Sequence, residues 1–126
     1  MTHPRTTLVA TVLDTPDPRA LAAFYATLLA WPPPEEDDPE WVTLRPDGGG
    51  TGLSFQREPD YVRPTWPTAG GAQQMMSHLD IEVDDLDAAV AHAVAAGATV
   101  AEFQPQDDVR VCLDPDGHPF CLVVKG

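Results

Sequence analysis

Four side chains near the end of the chain have the types and spacing for chemistry. His78, Asp80 and Glu82 alternate with Leu79, Ile81 and Val83. On a β-strand that alternation puts the three polar groups on one face and the three apolar groups on the other. Imidazole, carboxylate and thiolate are all competent ligands, so with Cys121 this face could hold a divalent metal. Without a metal, His78 could serve as a general base, its ordinary pKa lying near neutrality, with Asp80 or Glu82 orienting the ring. The competing reading of His78 is a structural or ligand-contacting histidine. Cys121 as a nucleophile would need a lowered pKa, and a small buried strand residue is the simpler reading there. His118, in a turn before Pro119, is accounted for by capping or loop bonding. Trp66, between Pro64 and Pro67 with Tyr61, Met75 and Met76 nearby, reads either as a wall for a hydrophobic ligand or as an anchor for its own segment or for a dimer.

The elements that must position these groups come as a repeat. An apolar run, Leu8 to Leu13, meets Asp17-Pro18 and a helical pattern of Leu21, Phe24, Tyr25, Leu28 and Leu29. Later, His78 to Val83 meets Asp84-Asp85 and a second helical pattern of Leu86, Ala89, Val90, Ala93 and Val94, closed by Gly97. Each helix is followed by strand-like segments and a Pro-Asp-Gly turn, at Pro46-Asp47-Gly48 and at Pro115-Asp116-Gly117. Asp17 can cap the first helix with Pro18 at its first position, and Pro32-Pro33-Pro34 should stop it at Trp31. The acidic, proline-rich stretch from Pro32 to Glu40 reads as a surface loop that shortens the strand expected there. Trp41–Leu44 and Leu53–Gln56 read as a hairpin whose Gly48-Gly49-Gly50 turn lacks the lysine and helix of a phosphate loop. The second copy reads as strand 78–83, helix 86–96, and strands 98–103, 109–113 and 119–124. One domain is expected over residues 1–126: module one at 5–57, a linker at 58–77, and module two at 78–126.

Charge narrows the partners. With 20 acidic against 7 basic residues the net charge is -13, which repels nucleic-acid phosphates and anionic membrane surfaces. Neither class of partner is expected. Two cysteines, Cys112 and Cys121, do not make a disulfide scaffold, although hairpin pairing of their strands leaves a bridge open. Residues 1–5 carry no apolar stretch of signal-peptide or membrane-span length, so a cytoplasmic setting is expected.

Three segments together resemble the vicinal oxygen chelate superfamily: Asp17 to Tyr25, His78 to Leu86, and Asp114 to Leu122. Within it they look most like the small, single-domain, glyoxalase-like and bleomycin-resistance-like proteins. The resemblance implies an α+β fold of two βαβββ modules whose curved mixed sheets enclose a cavity, and a homodimer. Similar metal-dependent proteins carry four ligands, one on the first strand and one on the last strand of each copy. Those positions fall on Ala10, Ser54, His78 and Cys121, the last normally a glutamate, with Gln56 two residues beyond Ser54 on the same face. Only His78 matches, so an intact metal site of the glyoxalase or extradiol type is not expected, and no cofactor is firmly implied. The leading expectation is a protein that binds a small organic molecule in the cavity, as drug-sequestering relatives do, lined by Gln56, Trp66, His78, Asp80 and Cys121. The alternative is a divalent-metal-dependent lyase, isomerase or dioxygenase using His78 as ligand or base.

Overall fold

Asp17 starts the first helix as its sequence predicts. Its Oδ1 accepts the Ala20 N–H at 3.2 Å, satisfying a donor that the first turn leaves unpaired. The computed structural model describes residues 3–35 and 38–124. The chain divides into two compact units, Met1–Pro59 and Asp60–Gly126. The first contains β1 (Ala10–Thr15), α1 (Pro18–Leu29), β2 (Trp41–Leu44) and β3 (Gly52–Arg57). The second contains β4 (Leu79–Val83), α2 (Leu86–Ala96), β5 (Thr99–Val100), β6 (Val109–Leu113) and β7 (Pro119–Val124). Both sheets are mixed, as expected for an α+β fold.

In the first unit the sheet order is β1-β3-β2, with β1 parallel and β2 antiparallel to β3. Tyr25 stacks on Phe55 at 5.8 Å, and Phe24 meets Tyr25 edge-on at 4.8 Å. These rings, with Leu21, Val42, Leu44 and Leu53, form its buried core. Leu28 and Leu29 are only half-buried. β1 begins two residues later than Leu8 because its partner β3 begins at Gly52, leaving Leu8 and Val9 exposed. Gly52 cannot carry a side chain, since a Cβ there would collide with the Leu44 carbonyl oxygen. Among the described residues this unit is βαββ, one strand short of the βαβββ order. Three consecutive prolines remove the N–H donors a strand would need where the missing one should begin.

α1 closes two residues earlier than the proline run demands. Ala30 adopts φ 55° in the left-handed region, and its N–H and that of Trp31 both return to the Ala26 carbonyl. Left-handed geometry is unfavourable for alanine by about 1–2 kcal/mol, partly offset by the freedom glycine has when unfolded. Ala30→Gly is therefore expected to raise stability by about 0.5–1 kcal/mol, read from the denaturant midpoint.

The second unit has the full βαβββ order, with strands arranged β4-β7-β6-β5. β4 runs parallel to β7, and β6 is antiparallel to both β7 and β5. α2 is capped by Asp85 and closed by Gly97 at φ 126°, and it packs over β5, β6 and β7. Phe120, Leu122 and Cys112 are buried, while on the helix only Ala93 is buried. β5 is shorter than the expected 98–103, and the reason is a side chain. Ala101 still donates to the Val111 carbonyl at 3.0 Å. Beyond it, the Gln104 amide takes the place of a strand: Nε2 donates to the carbonyls of Ala101 and Val111, and Oε1 accepts the Val111 N–H. No helix among the described residues is long and apolar enough to cross a membrane.

Candidate functional site

Strand register assembles the site. In the second sheet Asp80 lies beside Cys121, and Cys121 lies beside Val111, in one row across β4, β7 and β6. The neighbouring row, Leu79, Phe120 and Cys112, points to the opposite face. Phe120 and Cys112 are fully buried there, so the helix covers that face and the Asp80 row lies on the other. His78, just before β4, brings Nε2 to 3.1 Å from Asp80 Oδ1, with both side chains open to solvent. One ligand atom each from His78, Asp80 and Cys121 lie within 4.8 Å of one another. An imidazole, a carboxylate and a thiol thus meet on one accessible sheet face. The arrangement can bind a polar ligand group, hold an ion, or let His78 move a proton while Asp80 fixes its ring.

Cys121 is no nucleophile at neutral pH. Burial, the adjacent Asp80 charge and a hydrogen bond to that carboxylate all push its thiol pKa up. Cys112 is pushed to about 11, first by burial and then by Cys121. Neither is in a disulfide. The one-residue offset in register places the two sulfurs on opposite faces, which closes the question of a bridge.

The raised Cys112 pKa fixes a pH dependence. Below the unfolded value of 9.0 both states keep the proton and stability is complete. Between pH 9.0 and about 11 the unfolded chain loses its proton first. Stability should therefore fall by up to about 1.4 kcal/mol per pH unit in that window. Cys121 adds a decline of the same sign. Denaturation curves across the window should be flatter for Cys112→Ala than for the parent chain, and identical slopes would refute the assignment.

The other residues singled out from the sequence lie elsewhere. Glu82 shares the β4 face but lines a shallow hollow with Asp84, Asp85 and Ala88, and does not join the three-residue group. Gln56 sits in the first unit, where its Nε2 donates to Asp14 Oδ1 at 3.1 Å across the β1–β3 pair. Trp66 donates Nε1–H to the Phe103 carbonyl at 3.2 Å and lies 6.0 Å from the Phe103 ring. Its segment is strapped to the second unit at a further turn: Tyr61 donates to the Asp116 carbonyl at 2.7 Å and Arg63 to the Pro115 carbonyl at 3.1 Å. Met76 is 84% exposed.

Two features escaped the sequence reading. Asp114 is a buried carboxylate bound to His118; the aspartate opening an Asp-Pro-Asp-Gly turn was its available signal. In the first unit a groove of about 480 Å³ is bounded by Pro32–Pro34, Trp41, Thr43 and Arg45. There Trp41 Nε1 donates to Thr43 Oγ1, which in turn meets Ser54 Oγ at 3.0 Å.

The four positions that carry metal in similar proteins do not form a matching set here. Ala10 has no donor atom. Ser54 is 3% exposed and its hydroxyl is engaged by Thr43. Cys121 offers sulfur where a hard carboxylate is usual. Of these four positions, His78 carries the donor type expected from the resemblance.

The chain matches the description "Glyoxalase-like domain" over residues 10–123. No curated protein matches it. A glyoxalase/bleomycin resistance protein/dioxygenase family enzyme from Burkholderia phytofirmans PsJN is similar at TM-score 0.68 and 22% identity, over 94% of this chain and 98% of that one. A glyoxalase-related enzyme from Fulvimarina pelagi has TM-score 0.66 and 20% identity, over 96% and 89%. A glyoxalase/bleomycin resistance protein from Albidiferax ferrireducens has TM-score 0.65 and 18% identity, over 94% and 98%. At these identities the likeness is one of fold.

Proposed function

This chain belongs to the glyoxalase-like domain family, and from that premise we propose that it binds a small organic molecule, without the four-ligand metal set of metal-dependent relatives. The observation that carries the reading is the His78–Asp80–Cys121 group. It offers donors and acceptors on an accessible face of the second sheet, while the opposite face holds that unit's buried core. Such a polar cluster fixes a ligand's orientation while neighbouring apolar surface supplies affinity. Gln56 and Trp66 are further contact positions in this proposal. With a net charge of -13, cationic or neutral molecules are favoured over anions. The proposal extends to a homodimer in the cytoplasm, which light scattering on the purified chain and fractionation of the source cells would check.

A thermal-shift screen of organic compounds on chelator-treated protein tests binding. A true ligand should raise the melting temperature in proportion to its occupancy, remain chemically unchanged, and lose the effect in Asp80→Ala. A library without any stabilising compound, or hits insensitive to Asp80→Ala, would reject this reading. The second reading is a lyase, isomerase or dioxygenase with His78 as ligand or general base. It draws on the 3.1 Å contact by which Asp80 orients the imidazole. Turnover of a hit compound, abolished in His78→Ala, would favour it.

A further inference from the structure

We infer that the open outer edge of β2, with the groove beside it, takes up an extended basic segment of a partner protein as a further strand of the first sheet. This site lies wholly in the first unit and is independent of the small-molecule reading of His78, Asp80 and Cys121. The strand that the first unit lacks is its starting point. In the second unit β5 covers the outer edge of β6. Where β5 ends, the Ala101 N–H and the Gln104 amide take over the backbone groups of Val111. β2 closes the first sheet with no such cover among the described residues.

Register shows which backbone groups are open. In an antiparallel pair, residues that exchange both backbone bonds alternate with residues whose N–H and C=O point away. Arg57 donates its N–H to the Glu40 carbonyl at 2.9 Å, so Glu40 and Arg57 are a bonded pair. Alternation then makes Val42–Phe55 and Leu44–Leu53 bonded pairs, and Trp41–Gln56 and Thr43–Ser54 unbonded ones. The N–H and C=O of Trp41 and Thr43 therefore face outward, and among the described residues no backbone group meets them. Such a row of unpaired groups is a template for an added strand. Val42 and Leu44 are buried, so the core behind the edge holds it in place.

The groove sets the class of occupant. Trp41, Thr43 and Arg45 line it together with Pro32–Pro34. The prolines have no N–H to offer, so the donors for a strand come from β2. Glu35 and Asp47 also line the groove, against Arg45, and the chain carries a net charge of -13. A cationic segment is favoured there, and a second copy of this chain is disfavoured by like charge. The Trp41 indole is 39% exposed and is held by its Nε1–H bond to Thr43 Oγ1 at 3.1 Å. Its face suits a lysine or arginine side chain. β2 spans only four residues, so backbone pairing alone gives modest affinity and basic side chains must supply the rest.

The probe is the end-blocked peptide Lys-Thr-Val-Thr-Val-Thr-Lys, titrated into the isotope-labelled full chain while amide exchange is followed by NMR. With the peptide at about ten times its dissociation constant, exchange at Trp41 and Thr43 should slow about tenfold. Val42 and Leu44, already paired to β3, should change little. The same peptide N-methylated at its central residues cannot pair and should give no slowing. Exchanging both lysines for glutamate should weaken binding about tenfold or more. Thr43→Pro removes an outward N–H from an edge strand, where proline is tolerated, and should weaken the lysine peptide by a similar factor. Unchanged exchange at Trp41 and Thr43, equal binding by the N-methylated peptide, or equal binding by the glutamate peptide would overturn the inference. Slow exchange of both amides in the peptide-free chain, strengthening with protein concentration, would also overturn it by assigning the edge to a second copy. The N-methylated peptide alters no residue of the protein, so the question stays answerable if Thr43→Pro fails to fold. Small-molecule hits sensitive to Asp80→Ala concern the second unit, and failure of either experiment leaves the other proposal standing.

Discussion

Asp114→Ala should destabilise the protein by about 3–5 kcal/mol, because one buried side chain is the acceptor for three donors and each lost bond costs about 1–3 kcal/mol. Asp114 is 1% exposed. Its Oδ1 accepts the backbone N–H of Asp116 at 2.9 Å and of His118 at 3.0 Å, and Oδ2 lies 2.8 Å from His118 Nδ1. His118 Nε2 is in turn 3.3 Å from the Tyr61 hydroxyl. One carboxylate therefore organises the whole turn between β6 and β7 and reaches the strap through histidine. Alanine would leave two backbone donors and an imidazole without their acceptor, each lost bond leaving a desolvated group. Asp114→Asn keeps one acceptor oxygen and should cost less, about 1–3 kcal/mol. Equilibrium denaturation of the two variants tests the ordering, and a loss below about 1 kcal/mol for alanine would refute it.

The turn also bears on the site. Cys121 lies three residues beyond His118, and its place beside Asp80 depends on the β6–β7 register. A slip of one residue would exchange the faces of Cys121 and its neighbours. Holding the turn fixed is what keeps the thiol opposite Phe120 and beside the carboxylate.

How much of this was legible can be judged residue by residue. α2, β6 and β7 were readable to their ends because their signals are local: an aspartate cap, a glycine stop and a Pro-Asp-Gly turn. The shared face of His78 and Asp80 follows from strand alternation alone. Its completion by Cys121 rests on a pairing between segments some forty residues apart, and no local rule supplies that register. The shortening of β5 was hidden for the same reason. Gln104 looks like any polar loop residue until its amide is seen to replace strand hydrogen bonds. Trp66 is ambiguous in sequence because an aromatic between prolines serves a ligand or its own segment equally well. Its contacts with Phe103 show the anchoring, and a ligand role for it stays within the proposal.

Phe120→Ala carries the other large expected effect, a loss of about 3–5 kcal/mol, toward the upper end of that range. Phe120 is fully buried on β7, between Leu79 of β4 and Cys112 of β6. The other buried apolar residues of its unit are Ala93, Ala98, Ala101, Val111, Cys112 and Leu122. A core with three alanines and, among the described residues, no second buried aromatic ring has nothing large enough to collapse into the space. Phe55 in the first unit differs, because Tyr25 is stacked against it and Phe24 lies beyond. Phe55→Ala should therefore fall lower in the same range. Against a typical total of about 5–15 kcal/mol, the Phe120 loss leaves little margin. Urea denaturation would measure both variants, and a Phe120→Ala loss below about 2 kcal/mol would contradict the argument. Cys121 faces away from the vacated space, so a folded Phe120→Ala molecule keeps its site.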